Sequence, residues 1–141
     1  MGCRDRESCR QRHENWLKLQ EKYTPIGAEE LEVFLEKMQK KQAFLHLDED
    51  HFGKRSLERA VSVKDVLTVV ENGWVIERRK RRGYTSLLIM GYLKHSSSYR
   101  PLHVVCDIVT DTQWWVITVY DPRSKPWKWD ENYEQRVCFC S

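Results

Sequence analysis

Long hydrophobic runs are missing. No stretch approaches the roughly 18 uninterrupted apolar residues that a spanning helix needs, so no membrane segment is expected. The N-terminal segment lacks the apolar core of a secretory signal, so export is not expected either. There is no glycine-rich phosphate loop, no His-Glu-x-x-His helix and no nucleophile elbow, which leaves a cofactor-dependent enzyme without its usual machinery. Internal repeats and low-complexity linkers are also missing. What remains is a chain of 141 residues, 40% hydrophobic and 32% charged. That is the length of one domain. Six Trp, six Tyr and four Phe supply apolar area that a disordered chain lacks.

The net charge is only +3, but its distribution is uneven, because Arg78, Arg79, Lys80, Arg81 and Arg82 are consecutive cations. A patch of that density binds a phosphate backbone by releasing counterions. The competing expectation is a solvated turn between two strands, where cations keep edges soluble. The cysteines are Cys3, Cys9, Cys106, Cys138 and Cys140. An odd number without an export signal points to a reduced, cytoplasmic setting. Cys106 sits in an apolar run and is expected in the core. Cys3, Cys9 and His13 could join Cys138 and Cys140 at a zinc ion, but the spacing is poor. Frayed terminal thiols are therefore expected, with no metal and no cofactor.

Trp16, Leu17, Leu19 and Tyr23 are spaced for one helical stripe. Thr24-Pro25-Ile26-Gly27 is expected to break that segment. A second helix is expected from Ala28 to about Gln42, with Leu31, Phe34, Leu35 and Met38 on its apolar face. Ala43 to Leu47 reads as a short strand. His51 to Arg59 reads as a short helix behind the acidic start Asp48-Glu49-Asp50. Ser62 and Asp65 form an N-terminal capping pair for a helix carrying Val63, Val66, Leu67 and Val70, and Asn72-Gly73 stops it. Beyond Gly73 the period changes. Trp74 to Glu77 is short and apolar, and the basic run is expected to turn at Gly83. Strands follow over Tyr84–Leu93, Leu102–Val109 and Trp114–Tyr120, with a polar loop from Lys94 to Pro101. Helices first and consecutive antiparallel strands afterwards predict α+β, with helices on one face of a mostly antiparallel, roughly four-stranded sheet.

Several motifs resemble a small bacterial family, domain of unknown function 4258. They are His51-x-x-x-Arg55-x-x-x-Arg59, Asp65-Val66, Gly73, Arg100-Pro101-Leu102-His103-Val104-Val105, the run Val116 to Pro122, and Trp127. The resemblance covers roughly Phe44 to Arg136. That family is regarded as similar to the RelE and ParE toxins, which implies compact α+β proteins with helices covering an antiparallel sheet. RelE-like toxins cut messenger RNA without metal, usually on the ribosome, and ParE-like relatives act on gyrase. The implied organisation is a helical extension over 1–42, a RelE-like domain over 43–136 and a cysteine-containing tail over 137–141.

Metal-free RNA cleavage needs a base, an acid and cations for the charged phosphorane. Histidine suits the proton transfers and arginine the phosphate oxygens. On a helix, His51, Arg55 and Arg59 share one face. His103 shares a strand face with Val105, and Thr118 shares one with Tyr120, so coincident faces would give a polar site floor. The expected catalytic set is His51, His103 and Tyr120. Arg55, Arg59, Arg78, Arg79 and Arg136 are the expected phosphate contacts. For His103 the competing expectation is a buried ring donating to a backbone carbonyl. For Arg55 and Arg59 it is surface ion pairing. Trp114-Trp115 should place one indole on each sheet face. Trp127 and Trp129 should share a face, either as a lid or as base-stacking groups beside Arg123, Lys125 and Lys128, which would hold phosphates.

The leading expectation is thus a RelE-like, toxin-type protein that binds RNA, or the ribosome, and cleaves RNA by acid–base chemistry. The alternative is a non-catalytic module that recognises a protein, such as an antitoxin, through the N-terminal helices. A third expectation is a small zinc-assisted structural protein.

Overall fold

A computed structural model describes residues 2–47, 61–95 and 97–140. The His51–Arg59 helix expectation lies outside the described residues, with His51, Arg55 and Arg59 in it. The described elements are α1 (Arg6–Gln39), β1 (Phe44–Leu47), α2 (Val63–Asn72), β2 (Trp74–Arg81), β3 (Tyr84–His95), β4 (Ser98–Thr110) and β5 (Gln113–Tyr120). The five strands form one sheet in the order β1-β5-β4-β3-β2. All neighbours are antiparallel except β1 and β5, which run parallel. The α+β class stands. The sheet is mixed and five-stranded rather than four-stranded, because β1 and the basic segment both join it.

Contrary to expectation, α1 runs unbroken through Pro25. A proline inside a helix sacrifices one backbone hydrogen bond and costs about 3 kcal/mol. Tertiary anchors on either side outweigh that loss. Upstream, the Gln20 side chain donates to the Arg78 carbonyl (3.1 Å) and accepts from the Arg78 N–H (2.9 Å), pairing an open group of the edge strand β2. Downstream, the Glu30 carboxylate accepts from Arg78 Nε at 2.6 Å. Leu31 and Phe34 then enter the main core. The N-terminal helix is therefore part of the domain's packing and not an appendage.

The short helix α2 follows its sequence signals. Ser62 accepts from the Asp65 N–H and the Asp65 carboxylate accepts from the Ser62 N–H, closing the capping box. Val66, Val69 and Val70 face the core. Gly73 ends the helix for a steric reason. A Cβ there would lie 2.2 Å from the Met90 carbonyl oxygen and 2.5 Å from that of Val69.

The basic run is not the expected turn. Arg78 to Arg81 extend β2, and only Arg82-Gly83 turn the chain, with φ of 49° and 84°. Two positive φ values match the twist of a tight hairpin. The expected Lys94–Pro101 loop is likewise absorbed into the long β3–β4 ladder, which reaches His95↔Ser98. Pro101 is tolerated because β5 ends opposite His103, leaving that side of β4 unpaired.

The main core lies between the helices and one sheet face, and includes Phe34, Val66, Val70, Leu87, Ile89, Leu102, Val104, Cys106 and Trp114. Burial pushes the Cys106 thiol up to about 12, as a small core residue would behave. Trp114 stacks on Phe34 at 4.0 Å, while Trp115 on the opposite face stacks on His46 at 4.6 Å. No helix of the described residues is long and apolar enough to cross a membrane.

Candidate functional site

The sheet face away from the helices carries the chemistry, and two single-residue bulges decide what points there. Val75 pairs with Ile89 but Glu77 pairs with Leu88, so Ile76 is an extra residue in β2. Side chains alternate along a strand, so one extra residue exchanges the two faces beyond it. Glu77, Arg79 and Arg81 consequently line the outer face, and Arg78 points to α1. On β5, Val105 pairs with Thr118 and Cys106 with Val116, so Ile117 is the extra residue. Beyond it Val119 joins the core and Thr118 and Tyr120 face outward.

After β5 the chain turns back through short 3-10 turns at Pro122–Ser124 and Pro126–Lys128 and covers part of this face. Trp129 is buried there with Ile76, Leu88, Met90 and Val105. The Arg136 guanidinium lies 4.6 Å from the Trp129 ring. It donates from Nε and Nη2 to the two oxygens of Glu77, both at 3.0 Å. The Glu77 side chain is only 2% exposed. A bidentate partner is what makes such a buried carboxylate tolerable.

Behind this pair lies His103, fully buried. Its Nε2 is 2.8 Å from the Tyr133 carbonyl oxygen, which can only accept, so that nitrogen carries the proton. Its Nδ1 then accepts from the Tyr120 hydroxyl at 3.2 Å. The bond to Tyr133 also braces a residue with φ of 61°, in the left-handed region that non-glycine residues rarely adopt. Burial pushes the Tyr120 hydroxyl up to about 12, so it remains a proton donor.

Burial also drives His103 down to about 4, against the raising pull of the Tyr133 carbonyl and the Glu77 charge. The unfolded chain therefore takes up a proton at this ring before the folded one does. Stability is fully present above the ordinary value of 6.5 and is lost as pH falls toward about 4. The expected loss is roughly 3 kcal/mol, read from urea unfolding at several pH values. His103→Gln, which keeps a donor and an acceptor but does not titrate, should flatten that pH dependence. An unchanged slope in the variant contradicts a neutral buried imidazole.

In front of the pair opens a cleft of about 310 Å³, with Leu88, Val105, Thr118 and Tyr120 on its floor and Arg79, Arg81, Lys125 and Lys128 around it. Among the described residues none of these four cations forms an ion pair. The Glu77 charge is matched by Arg136, and Asp107, which accepts from the cleft-lining Ser86, is a further carboxylate on this face. Among the described residues the four rim cations therefore outnumber the carboxylates beside them.

The sequence pattern of the family described as Domain of unknown function (DUF4258) matches residues 49–121, more than half of the chain. The chain belongs to the DUF4258 family. No curated protein and no solved structure matches it. The DUF4258 match ends at Asp121, so the family segment supplies Glu77, Arg79, His103 and Tyr120, while Trp129 and Arg136 come from the chain beyond it.

In this DUF4258 protein the expected site residues divide. Tyr120, Arg79 and Arg136 line the cleft. His103 stands behind it, sealed by Tyr120, Trp129 and the Tyr133 turn, with both nitrogens engaged. That is the buried, carbonyl-bound ring weighed against a catalytic one. Arg78 lies on the face away from the cleft, because the Ile76 bulge turns it toward Glu30 and the Tyr23 ring. Trp129 forms the lid, whereas Trp127 lines a separate small cavity near Cys9 and Cys138, so the two indoles do not share a surface. Lys125 and Lys128, the cations expected beside the two indoles, line the cleft with Trp129, whereas Glu77 is a site residue that sequence reasoning missed. Glu77 carries no local signal, since its partner is 59 residues away.

Proposed function

We propose that the outer sheet face binds single-stranded RNA, one nucleotide unit entering the cleft while Arg79, Arg81, Lys125 and Lys128 hold phosphates. The observation that carries this is a cationic rim that forms no ion pair among the described residues, around an apolar, hydroxyl-bearing floor. The volume of about 310 Å³ is at the small end of ligand pockets and too small for a duplex. The resemblance to RelE toxins expected from the sequence agrees with an RNA partner; a ParE-like relationship would instead point to gyrase. Cleavage of the RelE kind would draw its proton transfer from a group other than Tyr120 and His103, which are committed to each other. His51 is the remaining candidate.

Fluorescence anisotropy with a short single-stranded RNA tests the binding. Lys125→Gln with Lys128→Gln should weaken it roughly tenfold and flatten the log–log salt dependence by about 2. Undiminished affinity would refute the proposed face. Growth arrest on expression, relieved by His51→Ala, is the expected mark of a toxin-type nuclease. RNA binding without arrest or cleavage reduces the function to recognition.

A second reading places a protein partner, such as an antitoxin, on α1. Leu19, Ile26 and Val33 recur every seven residues on that helix and remain 55%, 41% and 45% exposed. Substituting all three by Gln should abolish co-elution with such a partner and leave RNA affinity unchanged.

A further inference from the structure

The cysteines at the two ends of the chain do not fray apart. Cys3 and Cys9, just before and within the first turns of α1, meet Cys138 and Cys140 of the tail. The four sulfurs all lie within 4.8 Å of one another. Cys9 and Cys140 are 3.6 Å apart, Cys3 and Cys140 3.9 Å, and Cys9 and Cys138 3.9 Å. All are free thiols, and Cys9 and Cys138 are buried. A tetrahedron of sulfurs at about 2.3 Å from a central zinc has edges of about 3.8 Å. The three separations given fit that figure, the others stay within 4.8 Å, and all are far longer than a disulfide bond.

We propose that Cys3, Cys9, Cys138 and Cys140 form a structural zinc site that fastens the C-terminal tail to the start of α1. The surroundings suit such a centre. The Phe139 N–H donates to the Cys9 sulfur at 3.2 Å, the kind of outer hydrogen bond that steadies a metal-bound thiolate. Zinc with four thiolates carries a net charge of −2, and Arg6 and Arg10 line the adjoining cavity while Arg12 donates to the Phe139 carbonyl. His13 is not a ligand. Its Nδ1 is 2.6 Å from the Arg136 carbonyl oxygen, and it holds the tail a few residues before the thiols. Four protein ligands leave no open position, so the role is structural rather than catalytic. The site secures the same tail that brings Arg136 to Glu77. Its existence does not depend on the RNA proposal.

The test uses the full chain, expressed with supplemented zinc and purified under reducing conditions. About one zinc per chain is expected by elemental analysis after gel filtration. Replacement by cobalt should give the visible absorption bands of a tetrahedral tetrathiolate. Chelation should lower the melting temperature by roughly 10 °C and expose four thiols to a thiol reagent, with Cys106 reacting only on unfolding. Cys138→Ser should lose the metal. Should that variant fail to fold, Cys3→Ser, at the more exposed end, should keep the fold while shifting the cobalt spectrum to that of three sulfurs and one oxygen. Zinc below about a tenth of an equivalent with no cobalt bands would overturn the site. So would four thiols that react freely in the folded protein without releasing metal.

Discussion

Replacing Glu77 by Ala is expected to destabilise the protein by about 3–5 kcal/mol, because it leaves the Arg136 guanidinium buried without its counter-charge. The carboxylate is 2% exposed and takes two hydrogen bonds from Arg136, whose side chain is itself only 16% exposed. The loss extends past one ion pair. Arg136 also covers Trp129, and Trp129 packs edge-on to His103 at 4.5 Å. The lid should loosen with the pair. Glu77→Leu combined with Arg136→Met should recover much of the lost stability, since paired apolar groups of similar size often replace a buried ion pair without net cost. Urea denaturation of the two single variants and the double variant makes the comparison. A Glu77→Ala cost below about 1 kcal/mol would show a solvated pair instead of a buried one.

Trp114→Ala is expected to cost about 3–5 kcal/mol, and Trp114→Phe less than about 1.5 kcal/mol. The indole is 2% exposed and lies nearly parallel to Phe34, with 9° between the ring planes. Truncation removes that stack and leaves a cavity where α1 meets β5. Either substitution also removes a polar group. Among the described residues, Trp114 Nε1 is the buried side-chain polar atom without a hydrogen-bond partner. Phenylalanine removes that orphaned donor along with part of the volume, so the two effects oppose each other. Thermal and urea unfolding of both variants should separate them. Equal costs would mean that the stack on Phe34 and the filled volume contribute nothing.

Local signals explain which elements could be read in advance. The capping pair Ser62/Asp65 and the valine face of α2 act within a single helical turn, and the helix formed where they point. Trp114 and Trp115 took opposite faces because alternation is a property of any strand. Pro25 misled for the complementary reason. Its cost is local, while Gln20 and Glu30, which outweigh it, act through β2. The basic run misled because five like charges hide strand alternation. The bulge at Ile76 then assigned Arg79 to the cleft and Arg78 to the helix side, which no local pattern marks.

From the order of its residues alone, this chain determined an α+β class, the placement of α2 and the strands after Gly83. Those features follow from periodicity, caps and turn residues, whose energies are settled between near neighbours. Tertiary structure alone decided that β1 joins in parallel, that His103 is sealed behind the cleft, and that Glu77 meets Arg136. It alone gathered four thiols from the two ends of the chain. Each of these depends on bringing distant segments together, and sequence spacing carries no measure of that distance.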